Sequence, residues 1–271
     1  MFAEIAPKYD LMNHLLSLNV DRWWRQRTVA RLAPQPDWQV LDVCTGTGDL
    51  AIALLRRMRQ VQEKQAGRGA ALPRGGVAAA NRPGILTSAE ARQMDLRPYH
   101  VIASDFCRPM LEIGETKAQR LAGRELQFIE ADSQELPFPP NQFDLVTVAF
   151  GLRNVSDTMA GLREMVRVCR PGGKIGILEF TMPRLWPLSA LYRLYFLKVL
   201  PKIGQWFARN RSDAYNYLPE SVGQFPQYEQ LASMMESAGL NQVTFHPMTL
   251  GLATLYVGTK GTPPEATETP A

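Results

Sequence analysis

The segment Asp42–Asp49, reading D-x-x-T-G-T-G-D, limits this chain more than any other. Gln39–Val43 is a short apolar and β-branched run that stops at Thr45-Gly46-Thr47-Gly48, and Asp49–Leu55 then takes up helical composition. The order is strand, glycine turn, helix. A glycine pair after a buried strand lets the backbone pass close to a ligand, because no Cβ blocks the approach. The following helix offers free N–H groups in its first turn. A small charged metabolite is expected to lie across this turn, with Asp42, Thr45, Gly46, Thr47 and Gly48 as its cradle.

Dinucleotide enzymes use a related turn, G-x-G-x-x-G, whose third glycine allows tight helix packing while the pyrophosphate rests on the helix dipole. Here the third position is Ala51, and Asp49 would face the phosphates. A carboxylate repels pyrophosphate and suits a zwitterionic or cationic group, such as the amino-acid end of S-adenosylmethionine.

Two more acids close predicted strands. Asp105 follows His100–Ser104 and is placed to accept hydrogen bonds from ribose hydroxyls. Asp132, with Ser133, follows Leu126–Glu130, where a carboxylate can accept from an adenine amine. An isolated acid after a strand is as easily a helix cap or turn residue. Three at successive strand ends beside a glycine turn favour binding, because ligands of open α/β sheets gather at the carboxyl ends of strands.

Phe143–Val148 and Lys174–Leu178 read as further buried strands, and Met159–Cys169 as a helix closed by Arg170-Pro171-Gly172-Gly173. Gln242–His246 and Ala253–Lys260 read as an antiparallel pair joined through Leu250-Gly251. Strands alternating with helices predict an α/β, Rossmann-like, mostly parallel seven-stranded sheet with an antiparallel C-terminal strand, in one domain over 1–260. Residues 1–35 are expected to cover the substrate. The Gly-, Ala- and Pro-rich stretch 60–93 is expected to be a flexible insertion without an assigned function, and 261–271 a disordered tail.

Composition excludes several alternatives. Between Arg56 and Arg97 nine Lys/Arg meet three Asp/Glu, so the formal net charge of +4 is local and the rest of the chain is near −2. A nucleic-acid partner is not expected. Cys44, Cys107 and Cys169 are widely spaced and odd in number, which fits a reducing compartment and a cytoplasmic address. None of the three histidines, His14, His100 and His246, neighbours a cysteine or another histidine, so no metal site is expected. No leader pattern and no membrane span is read; the most apolar segment, Leu185–Leu200, carries Arg193 and Lys198.

Several segments make the pattern more specific: FAEIAPKYDLMN at Phe2–Asn13, Val40–Ala51, FGLRNV at Phe150–Val155, Arg167–Gly173, Leu178-Glu179-Phe180, and YNYLPESVGQFP at Tyr215–Pro226. Together they resemble the menaquinone/ubiquinone-biosynthesis C-methyltransferases, over Phe2–Lys260 with the insertion as the interruption. The resemblance implies a class I S-adenosylmethionine methyltransferase fold. It also implies cofactor contacts at Thr47, Asp105, Asp132 and Ser133. Where the family pattern often has Asn-Ala, this chain has Asp132-Ser133; where it has Ser before Phe-Gly-Leu-Arg-Asn, this chain has Ala149, whose side chain can make no such polar contact.

The implied reaction methylates a ring carbon of a reduced, prenylated quinone, demethylmenaquinol to menaquinol. A ubiquinone-type benzoquinol or a phytyl naphthoquinol is the alternative acceptor. A catalytically silent S-adenosylmethionine-binding protein is the alternative class. A phenol with a pKa of about 10 is protonated at neutral pH, so the enzyme must favour the phenolate. Arg153 is expected to do so electrostatically while Asn154 bonds a ring oxygen, although Arg153 in a structural ion pair is the competing reading. Tyr9, Asp10, His14, Asp49 or a water is the expected proton acceptor.

Leu188, Leu191, Tyr192, Tyr195, Phe196 and Val199 recur at helical spacing between Trp186 and Trp206. This stripe reads as a tail-binding or membrane-surface helix, as plain core, or as a homodimer face. Trp23-Trp24 reads as part of the lid. The resulting expectation is a cytoplasmic protein with transient contact at the inner membrane face.

Overall fold

The computed structural model describes residues 20–67, 84–121, 125–184, 186 and 221–262. An eight-stranded sheet runs through them in the order β2-β4-β3-β1-β5-β6-β8-β7. The strands are β1 Val40–Val43, β2 Leu86–Thr87, β3 Val101–Asp105, β4 Leu126–Glu130, β5 Phe143–Ala149, β6 Cys169–Phe180, β7 Leu240–Met248 and β8 Ala253–Lys260. Pairing is parallel from β2 through β6, and β8 lies antiparallel between β6 and β7.

The helices are α1 Val20–Leu32, α2 Asp49–Ala66, α3 Ser88–Gln93, α4 Arg108–Leu121, α5 Thr158–Val168 and α6 Glu229–Ser237. Side chains alternate across each strand, so two cores form. On one face Leu41, Val43, Ile102, Val146 and Ile175 pack with Leu162 and Met165 of α5 and Leu231 and Met235 of α6. On the other, Val40, Val101, Ala103 and Leu145 pack with Leu32 of α1, Leu54 and Leu55 of α2 and Leu111 of α4. Both faces are covered, which is why β1 and β3 are buried along their whole length. Each such buried Leu or Ile contributes roughly 1.5–3 kcal/mol.

The sheet has one strand more than the sequence implies. Leu86–Thr87 pairs with Ile129–Glu130 at the edge, and α3 follows at once. Thr87 and Glu90 cap α3 reciprocally, and the Ser88 hydroxyl donates to Glu130 O. The stretch 60–93, expected to be flexible, is therefore built at both ends: α2 continues to Ala66 and residues 84–93 join the sheet. T-x-x-E at Thr87–Glu90 was the legible start signal. Residues 68–83, 1–19 and 263–271 lie outside the described residues. Among those described, no helix is long and apolar enough to cross a membrane.

Candidate functional site

Parallel pairing brings the C-terminal ends of β1, β3, β4, β5 and β6 to one side of the sheet, and the chemistry-bearing residues collect there. The turn after β1 is held by Thr45 N donating to Ser104 O at 2.9 Å and Gly48 N to Thr45 O at 3.0 Å. Gly46 and Gly48 sit at φ +57° and +79°. A Cβ on Gly46 would meet nothing within 4 Å, whereas one on Gly48 would stand 3.0 Å from the Phe128 ring. The first glycine faces open space, and the second presses the turn onto the core.

Asp42 sits beneath the turn, 1% exposed. One carboxylate oxygen accepts from the Thr45 hydroxyl and the other from the Thr147 hydroxyl of β5, both at 2.6 Å. Burial raises its pKa from 3.8 to about 6, against the lowering effect of these two hydroxyls, of the Ala51 N–H and of Arg25. Asp42 thus braces the cradle from behind and has no open surface to offer a ligand.

Asp105 ends β3 at the edge of the same turn. Its oxygens accept from Gly46 N at 2.8 Å and Cys107 N at 2.9 Å, and burial holds its pKa above the ordinary carboxylate range. The Phe106 N–H bonds the same carboxylate, so three of its roughly four lone-pair sites are taken and one is left for a hydroxyl donor. Ser133 is buried beside Cys44, while Asp132 is exposed and its carboxylate accepts from Gln134 N at 2.9 Å in a local turn. Burial pushes the Cys44 thiol above its usual range, and the nearby Asp105, Asp42 and Glu179 charges push the same way. The thiolate form of Cys44 is thus disfavoured. Its backbone stands so close to the Phe150-Gly151 turn that a Cβ on Gly151 would lie 2.5 Å from Cys44 Cβ.

Asp49 opens α2 between two cations. The Lys117 ammonium of α4 donates to its carboxylate at 2.6 Å, and the Arg25 guanidinium of α1 stands at 3.5 Å. Lys117 also donates to the Thr47 hydroxyl at 2.8 Å, and Arg25 to the buried Asp21 at 2.6 Å. Asp49 and Asp21 are thus balanced by Lys117 and Arg25, and this end of the site carries both signs.

Across the turn, Leu152–Asn154 forms a single 3-10 turn after β5, and Arg153 folds back into the protein. Its Nη1 donates to Glu179 Oε2 at 3.0 Å and to Phe150 O. The Arg153 side chain is 7% exposed and that of Glu179 0%. The structure thus has the ion pair that the sequence left as the competing reading, and Arg153 is not a free cation awaiting a phenol. The guanidinium carbon lies 5.3 Å from the Phe180 ring centroid. Phe150 and Phe180 are 4.4 Å apart, and Trp24 of α1 closes on them at 6.0 and 5.9 Å. The Trp24 indole N–H donates to the Thr249 hydroxyl at 2.8 Å, fastening α1 over this corner.

Residues 1–260 match the model of the ubiE/COQ5 methyltransferase family. The chain belongs to that family. It is 38% identical over 262 residues to the ubiquinone/menaquinone biosynthesis C-methyltransferase UbiE of Geotalea daltonii, covering 96% of this chain and 94% of the relative. To the demethylmenaquinone methyltransferase of Thermus thermophilus it is 40% identical over 258 residues, 95% and 99% of the two chains. Among solved structures, a SAM-dependent methyltransferase from Thermotoga maritima, described as a possible histamine N-methyltransferase, superposes with a TM-score of 0.56 at 14% identity, over 96% of this chain and 97% of that one. That likeness shows the shared fold.

In this member of the ubiE/COQ5 family, sequence reasoning singled out Asp42, Thr45, Gly46, Thr47, Gly48, Asp49, Asp105, Asp132, Ser133, Arg153 and Asn154, and the fold brings all of them to the strand ends. Tyr9, Asp10, His14 and the stripe from Leu188 to Val199 lie outside the described residues. Sequence reasoning assigned no role to Thr147, Arg25, Lys117 or Glu179. Arg25 and Lys117 sit on helices whose exposed faces carry other charges, so no local pattern marks them. Glu179 alone had a signal, an acid inside the apolar run of β6.

Proposed function

We propose that this chain transfers a methyl group from S-adenosylmethionine to a ring carbon of a reduced, prenylated quinone, converting demethylmenaquinol to menaquinol. The observation that carries this reading is the adjacency of two sites at the strand ends. One is an open glycine turn beside Asp105. The other is an aromatic corner of Trp24, Phe150 and Phe180 containing the Arg153–Glu179 pair.

The residues fit the cofactor. Gly46 faces open space, Asp105 keeps one acceptor site for a ribose hydroxyl, and Ser133 and Asp132 stand at the next strand end for the adenine. Asp49 answers an ammonium and Lys117 and Arg25 answer a carboxylate, so this end of the turn matches an amino-acid group in both signs. When bound, the cofactor supplies a methyl group on a positively charged sulfur, already electrophilic and in need of no metal.

The chain's own part is to hold and activate the acceptor ring. Phe180, partly exposed, offers apolar surface backed by the buried Phe150 and Trp24. Arg153 and Asn154 supply donors for a ring oxygen, favouring the phenolate that makes the ring carbon nucleophilic. Holding that carbon in line with the methyl group supplies the rest of the acceleration. Trp23, 43% exposed, and Leu250, 65% exposed, offer apolar surface for brief contact with the cytoplasmic face of the membrane, where a prenylated acceptor resides.

Purified protein incubated with labelled S-adenosylmethionine and a panel of reduced quinones is expected to label demethylmenaquinol, with the added mass on the ring. A ubiquinone-type benzoquinol or phytyl naphthoquinol labelled in its place moves the assignment within the family. Absence of transfer to every quinol overturns the reading.

A further inference from the structure

Glu179 grips Arg153 at two points. Its Oε1 accepts from the Arg153 backbone N–H at 3.3 Å, and its Oε2 from Nη1 at 3.0 Å while also accepting from Phe180 N at 3.2 Å. Nη1 is further tied to Phe150 O. The Arg153 Nε–H, by contrast, is buried with no hydrogen-bond partner among the described residues, a state it shares with Arg57 Nε and Ser104 Oγ. Nearly all buried donors are satisfied, so an exception asks for a physical reason. A guanidinium anchored through one nitrogen and orphaned at another has the form of a donor held ready for an oxygen that arrives later.

We propose that Glu179 is a positioning residue for the methyl transfer: it fixes the Arg153 guanidinium so that Nε–H is reserved for a hydroxyl oxygen of the acceptor ring. This rests on the quinol reading above. Arg153 cannot take the proton itself, since its guanidinium is already protonated and has no acceptor site. The pair is neutral as a unit, so it favours the phenolate through one directed N–H rather than through net charge. In the step served, the ring hydroxyl loses its proton to water, the ring carbon forms a bond to the methyl carbon while the sulfur keeps the electron pair of the broken bond, and the ring then sheds its C–H proton to water.

Two consequences separate positioning from plain packing. Without the carboxylate, the Arg153 charge is uncompensated, so the bound phenol ionises at lower pH. The guanidinium is also no longer fixed, so turnover at the plateau falls. Glu179→Gln is expected to lower plateau kcat by at least tenfold per active site, counted by S-adenosylhomocysteine binding, with affinity for that product unchanged within twofold. The acidic limb of the kcat–pH profile is expected to move to lower pH. Glu179→Asp, which keeps the charge one methylene short, is expected to restore the limb and only part of the turnover, and it carries the test should the Gln variant not fold.

A variant with wild-type kcat per active site and an unmoved limb overturns the positioning role. Wild-type protein that methylates no reduced quinone overturns the quinol reading instead, so the two failures are distinct.

Discussion

Lys117 spans from α4 to the first residue of α2, donating to the Asp49 carboxylate at 2.6 Å and so tying two helices together at the mouth of the glycine turn. The same ammonium reaches the Thr47 hydroxyl at 2.8 Å. Removing it takes away a brace on the turn and a positive charge suited to a carboxylate. The pair is partly exposed, so solvent screening reduces its worth to about 1 kcal/mol. Lys117→Met is expected to weaken S-adenosylhomocysteine binding roughly fivefold. Calorimetry checks this, and unchanged affinity refutes it.

Asp42 makes the turn sensitive to pH. Its folded pKa of about 6 lies above the ordinary 3.8, so the native state binds the proton more tightly than the unfolded chain does. The stability it contributes is full below the unfolded value and is lost as pH rises through about 6, on the order of 3 kcal/mol in total. Chemical denaturation of wild type and Asp42→Asn from pH 4 to 7 isolates this term: the difference between the two curves is expected to slope across that window and flatten above it. Binding moves the other way. Below pH 6 the protonated carboxyl must donate, one of the two threonine hydroxyls has to reverse, and cofactor affinity is expected to fall.

The glycine turn and its acids were legible because each is written in consecutive residues and placed by a neighbouring strand. Asp105 illustrates the limit: its position at the end of β3 was readable, yet its bond to Gly46 N joins residues 59 apart and exists only once β3 lies beside β1. Thr147 is a further step removed. It looks like any β-branched strand residue, and only the register Asp42↔Thr147 gives its hydroxyl a partner. Arg153 was readable as a charge, with an ion pair as the competing reading, but its partner was not, because Glu179 arrives from the next strand. The edge strand β2 escaped for a different reason: two residues carry no period, and the surrounding Gly, Ala and Pro masked them.

Gly151 is where the two halves of the site touch. A methyl there would stand 2.5 Å from Cys44 Cβ and 3.2 Å from Cys44 O. Neither neighbour can retreat, since Cys44 is held at φ +49° at the end of β1. Gly151→Ala is expected to lose about 1–3 kcal/mol of stability by overpacking. Cys44→Gly removes the offending Cβ and relieves the positive φ, so the double variant is expected to recover a good part of that loss. Additive losses in thermal unfolding contradict this account of the contact.

The buried pair governs how any test of Arg153 must be read. Arg153→Ala strands the Glu179 carboxylate at 0% exposure without its partner, a change that costs about 3–5 kcal/mol in such settings. Loss of turnover in that variant therefore mixes folding with chemistry. Replacing both residues by apolar ones of similar bulk, Arg153→Met with Glu179→Leu, removes the desolvation cost of both charges and is expected to restore stability to near the wild-type level. Turnover is expected to stay at least a hundredfold down, because no directed donor remains for the ring oxygen. S-adenosylhomocysteine affinity should hold, since the glycine turn is untouched. A double variant that regains both stability and turnover would show that the pair serves only to fill the space between β5 and β6.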